Sequence, residues 1–137
     1  MKFHPVIRWM LGFSLFYLVL GFTLGSLLLF HKGINLHPLL WNLRPVHIEI
    51  TLWGFITQLA VGVGYGIFPR YRSRHPRGNP AAHTVLVILI NAGIILSALG
   101  SSGLGPDWTH LIGAAAKAVG FGGFAFTLWT RMRPYRV

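Results

Sequence analysis

Four long apolar runs, at roughly 7–30, 46–68, 84–101 and 109–130, leave this chain almost no sequence from which to build a water-facing surface. A bilayer core of about 30 Å takes about 20 helical residues, and each run is near that length. The runs are continuously apolar, not alternating, so a transmembrane β-barrel is not indicated. Only 10% of the residues are charged, against about 25% in soluble domains. The expectation is an all-α fold: one domain over 1–137, an integral-membrane four-helix bundle. The first run is too long, and lacks the small-residue cleavage pattern, for a secretory signal; it is expected to remain in place.

The net charge of +10 would suit nucleic acid, but the placement of the charges points elsewhere. Lys2 and Arg8 precede the first run. Arg70, Arg72, Arg74 and Arg77 lie between the second and third, and Arg131, Arg133 and Arg136 follow the fourth. With four spans these segments share one side, and only Lys32 and Arg44 fall on the other. That asymmetry predicts both termini on the cytoplasmic face, in a multi-pass protein of a prokaryotic cytoplasmic (inner) membrane. Anionic lipid headgroups, not nucleic acid, are then the partner of the arginines.

The chain has no cysteine, which excludes thioether-linked haem, cysteine-bound iron–sulfur clusters and disulfides. Metal chemistry must rest on histidine. His47 stands in the first turn of the second run, behind Arg44 and the helix-starting Pro45. Helical spacing from it passes through Thr51, Gly54, Gln58, Gly62 and Tyr65, a smaller and more polar face than its flanks. Such a stripe suits a flat macrocycle, and it equally suits a close helix contact. Gly21-x-x-x-Gly25, Gly62-x-x-x-Gly66 and the glycines at 113, 120, 122 and 123 read first as packing positions.

His110 opens the fourth run, on the same side of the membrane as His47. Two imidazoles at that depth could hold one iron between them, and so could His47 from each chain of a homodimer. His83 reads as an interfacial residue. His4, His31, His37 and His75 fall in tails and loops. A zinc site would need a further ligand, with Glu49 or a loop histidine as the candidates. Arg44 is placed either to pair with a haem propionate or to snorkel to the interface. Trp41, Trp53, Trp108 and Trp129 read as an aromatic belt. Lys117 is expected to face the interior near the middle of the fourth helix, with Asn91 or Gln58 as its partner.

Arg44-Pro45-Val46-His47, then Gly54-Phe55, Gly62-x-Gly64 and Phe68-Pro69-Arg70, resembles the second helix of the haem-copper oxidase catalytic subunit. The opening is most similar to the cbb-type oxidases and the nitric oxide reductases. The resemblance implies that His47 is an axial ligand of a low-spin haem near the outer membrane face. It also implies a chain the size of one four-helix unit of that family. The family's helix with paired histidines, its three-histidine copper site and its tyrosine–histidine cross-link have no counterpart here, so oxygen or nitric oxide reduction by this chain alone is not expected.

The reading is therefore a b-type haem protein, with the haem held noncovalently and the chain assembled as a homo-oligomer, a dimer in preference to a trimer. His47 and His110 are the candidate iron ligands, with Arg44, Gly54 and Gln58 completing the candidate cofactor site; no residue is assigned to catalysis. Electron transfer near the outer face, from quinol or a cytochrome partner, is the expected task. The alternatives are a haem-free accessory or assembly subunit of a respiratory oxidase, a haem-based gas-binding or sensing protein, and a small transporter or quinone-binding module built on Lys117.

Overall fold

The computed structural model describes residues 4–69 and 78–132. Helix α1 spans Pro5–Ile34. A short 3-10 helix, Pro38–Asn42, leads into α2, Leu43–Glu49. The chain continues without a break through a π-helical segment, Ile50–Thr57, into α3, Gln58–Ile67. Helices α4, Pro80–Ser101, and α5, Asp107–Met132, complete the bundle. Four helices, Pro5–Ile34, Pro38–Ile67, Pro80–Ser101 and Asp107–Met132, are long and apolar enough to cross a membrane. No strand occurs among the described residues.

Three of these spans open on proline, whose missing N–H costs nothing in a first turn. Asn79 caps α4 by accepting the Ala81 N–H at 3.0 Å. His37 Nδ1 accepts the Leu39 N–H at 3.3 Å at the start of the 3-10 turn. Asn35 ends α1 in the left-handed conformation, φ 48°, its N–H returning to His31 O at 2.8 Å. Because these caps lie outside the apolar runs, every span is longer than its run. His31 consequently falls inside the last turn of α1, buried and in edge contact with Trp41, not in a loop.

Thr109 Oγ donates to Pro106 O at 2.7 Å, and Asp107 is the exposed first residue of α5.

Val6, Ile7, Met10, Tyr17, Tyr65, Ile90, Ile94 and Phe124 form the buried core. Phe22, Leu29, Ile67, Leu111 and Phe126 stand on the outside, as lipid-facing side chains of a membrane bundle would. The second span lies between α1 and α4, and α4 forms an antiparallel hairpin with α5. Arg131 near the end of α5 closes the C-terminal end of the second span. Its guanidinium donates to the carbonyls of Tyr65, Phe68 and Pro69, the last group at 2.7 Å from Nε. A cation is thus set on carbonyls that the helix cannot satisfy itself.

The α4–α5 contact depends on glycine. A Cβ at Gly113 would lie 2.5 Å from Ser97 N and 2.6 Å from Gly93 O, both rigid helix backbone. Gly113→Ala is therefore expected to destabilise by about 1–3 kcal/mol through overpacking, outweighing the roughly 0.5–1 kcal/mol that alanine gains over glycine in a helix. Gly122, with nothing within 4 Å of its added Cβ, is the control: Gly122→Ala is expected to be neutral or stabilising. Thermal unfolding of the two variants in detergent distinguishes a close helix contact from a general glycine effect.

Candidate functional site

His47 projects from α2 onto α1. Its Nδ1 lies 2.9 Å from Gly21 O, so Nδ1 carries a proton, and in the neutral ring Nε2 keeps its lone pair. The ring packs over Gly25, where a Cβ would come 2.9 Å from Cε1. Thr51, one turn on, faces Gly21 at a similarly close approach. Gly21 and Gly25 are thus the small residues that let the imidazole and the threonine settle on α1. Around them opens a groove of about 480 Å3, lined by Tyr17, Phe22, Ser26, His47, Thr51 and Phe55 among others. It is apolar and open on the outer side of the bundle, and its volume is that of an ordinary small-molecule site.

The remaining candidates lie elsewhere in the bundle. Arg44 is exposed, three residues before His47 on α2. Gly54 is filled by Tyr17, whose Cγ would be 2.6 Å from an added Cβ, so this glycine serves the contact with α1. Gln58 is 0% exposed in the bundle core and does not line the groove. His110 is exposed at the start of α5, its backbone against Gly100 of α4, and no residue of α5 lines the groove of His47. Within one chain the two histidines do not share a site.

His83 is buried, not interfacial: Nδ1 donates to Asn79 O at 2.7 Å and Nε2 meets Thr127 Oγ at 3.1 Å. His75 lies outside the described residues. Among the described residues no three His, Cys, Asp or Glu side chains converge as a metal site, which leaves the zinc alternative without a ligand set.

A second constellation sits in the bundle interior. Lys117 Nζ donates to Glu49 Oε1, and the two residues are 6% and 9% exposed. The ammonium also stands 5.2 Å from the centre of the Trp53 ring, which takes Trp53 out of the purely interfacial role of a belt residue. Asn91 and Gln58, the expected partners of Lys117, do not bond to it. Glu49 does, and the sequence carried a signal for it. Glu49 is the chain's one glutamate and Lys117 its one lysine inside an apolar run. In the structure they lie 11 and 10 residues after the first residues of two spans, at 38 and 107, that run in the same direction. At about 1.5 Å per residue this puts the two at a similar level of the bundle.

The π-helical segment decides which second-span residues face inward. In a regular α-helix, at about 100° per residue, Glu49 and Gln58 would point to opposite sides. Both are buried. The wider i→i+5 turn holds the phase back so that the two fall inside together. Thr57 Oγ donates to Leu52 O, five residues earlier, at 2.8 Å, as that turn requires.

Comparison with protein-family models, with curated proteins and with solved structures finds no match to this chain.

Proposed function

We propose that the chain is a b-type haem protein of a cell membrane, with His47 as axial ligand and a second copy completing the site. The observation that carries this reading is the His47–Gly21 hydrogen bond. A ligating histidine almost always donates its other ring N–H to a carbonyl or carboxylate, which fixes the tautomer and frees the second nitrogen for metal. His47 already has that arrangement, on a half-buried ring beside an apolar groove.

The groove fits a flat apolar group in a second respect. Phe22, Tyr17 and Phe55 supply aromatic walls beside the imidazole that Gly25 seats on α1. When bound, haem would supply one-electron redox chemistry. The chain's own contribution is position and dielectric: Gly21 O orients the imidazole, the aromatic walls exclude water, and Arg44, at the same end of α2, is placed to meet a carboxylate at the aqueous boundary.

The groove opens outward and His110 stays away from it, so His47 of a second copy, related by a twofold axis, would be the other residue to hold the group. Held by two histidines, the iron would favour electron transfer over gas binding. Quinol or a cytochrome would be the donor, and the positive-inside distribution of arginine puts the site towards the outer face of a prokaryotic cytoplasmic membrane.

A reduced-minus-oxidised visible spectrum of the detergent-purified chain, with a pyridine haemochrome assay, tests the reading. Sharp α and β bands with one haem for every two chains are expected. A chain that stays colourless after expression with added haem overturns it and leaves a haem-free accessory subunit. A five-coordinate spectrum would replace electron transfer with gas binding.

A further inference from the structure

The first turns of α1 carry a second groove, separate from that of His47. About 560 Å3 in volume, it is lined among the described residues by Pro5, Arg8, Trp9, Gly12, Phe13 and Phe16. Steps of three and four residues put these six on one side of the helix. That side is turned from the core, which takes Val6, Ile7, Met10, Ser14 and Tyr17 from the same turns. Trp9 stacks on Phe13, with ring centres 5.8 Å apart. Between them and Phe16, Gly12 leaves the helix surface bare: a Cβ there would meet nothing within 4 Å. No neighbouring helix therefore requires a glycine at this point, although glycine is less favourable than alanine inside a helix.

Arg8 gives this groove an exposed cation, and the chain holds only two side-chain carboxylates, Glu49 and Asp107. Glu49 is taken by Lys117. Asp107 lies at the other end of the bundle. Thr109, two residues after it, packs at Gly100 near the end of α4. Ile7 packs instead at Gly66, next to the Tyr65 that meets the His83 ring near the start of α4. The counter-charge for Arg8 is therefore to be sought in another molecule. A second copy fits poorly, since a twofold axis along the membrane normal sets Arg8 level with Arg8. Haem fits no better, because no histidine is among the described residues that line the groove. From Pro5 to Phe16 the helix rises about 16 Å, close to half of a bilayer core of about 30 Å and hence to the reach of one acyl chain within its leaflet.

We propose that this groove binds an anionic phospholipid, its phosphate against the Arg8 guanidinium and one acyl chain over Gly12, beside Trp9, Phe13 and Phe16. A guanidinium offers phosphate two parallel N–H donors. Trp9, one residue from Arg8, carries the amphipathic ring that suits the level where acyl chain meets headgroup. A zwitterionic lipid has the same phosphate but brings its own cation to the arginine, so the site selects for net negative charge. The inference rests on the four spans and not on haem, since none of the six residues lines the groove of His47.

The test is quenching of Trp9 fluorescence by brominated acyl chains, with the full chain in nanodiscs of unlabelled phosphatidylcholine. The Trp9 signal is the parent emission less that of Trp9→Phe. A minor share of brominated phosphatidylglycerol is compared with the same share of brominated phosphatidylcholine. The anionic lipid is expected to quench Trp9 about fivefold more strongly, the effect of one basic residue near an anionic lipid surface. Arg8→Gln is expected to bring the two lipids level. Gly12→Leu fills the bare surface but keeps the cation, and it is expected to lower the preference as well. Equal quenching in the parent overturns the proposal, because the lipid beside Trp9 is then unselected. A preference that survives Arg8→Gln overturns it by placing the charge elsewhere, and one undiminished in Gly12→Leu overturns it by leaving the groove no part. Absence of quenching by either lipid also overturns it, since another protein would then cover this face. If Gly12→Leu loses helicity, Gly12→Met is read by the same criteria.

Discussion

Lys117→Met is expected to lower the stability of the chain by about 3–5 kcal/mol, the cost of leaving a buried charge without its partner. The size of the effect follows from where the pair lies. An exposed ion pair contributes about 0–1 kcal/mol, because water screens both charges whether or not they meet. Glu49 and Lys117 are both nine-tenths buried, out of reach of the bulk water that would screen either charge.

The double variant Lys117→Met with Glu49→Leu separates the pair's net contribution from the penalty of breaking it. Replacing both partners by apolar groups of similar size is often neutral or stabilising by about 1–4 kcal/mol. The double variant is therefore expected to recover most of the loss, and it should do so without disturbing α5, whose contact with α4 depends on glycine. Equilibrium unfolding in mixed micelles measures all three proteins. A loss below about 1 kcal/mol in Lys117→Met would mean that the pair is solvated, and the interior described above would be wrong.

The spans themselves are written in the composition, because about 20 apolar residues allow few other structures. Their ends were harder to place, since Pro5, Pro38, Pro80 and Asn79 extend the helices past the apolar runs by capping that hydropathy does not register. Glu49 lies two residues after His47, where a straight helix wheel turns it away from Gln58. The π-helical segment changes that phase, and no residue in Ile50–Thr57 announces it.

His83 was misplaced for a related reason. Its position at the start of α4 suggests an interface, but Thr127 of α5 and Asn79 O give both ring nitrogens a partner inside. A single sequence does not record which helices pack together. For the same reason His110 and His47 could be joined on paper, although His47 turns onto α1 and His110 stands exposed at the start of α5 beside Gly100 of α4. The setting of His47 is local: the residue lies in the last turn of α2, and Gly21 and Gly25 at one-turn spacing leave room for it on α1.

His47→Ala is expected to abolish haem retention, with the fold preserved, whereas His83→Ala is expected to retain the haem. Loss of a hydrogen bond that merely orients a metal ligand already costs about 10–100-fold in metal affinity, so loss of the ligand itself should exceed that range. The alanine deletes no core packing, because His47 is only half-buried and its ring lies over a glycine. Gly25→Leu provides the steric counterpart. A side chain there would enter the space of the imidazole, 2.9 Å from Cε1 at its first carbon, and displace the ring from Gly21 O while the histidine remains in the chain. It is expected to lower haem content nearly as far as His47→Ala does. His110→Ala then decides the second ligand. Unchanged haem content and unchanged α and β bands are the outcome for a His47 pair across a twofold axis, and a shift to a five-coordinate spectrum would bring His110 of a neighbouring chain into the site. Full Soret absorbance in His47→Ala would remove the haem from this groove altogether, and the glycines of α1 would then be no more than a seat for a buried histidine.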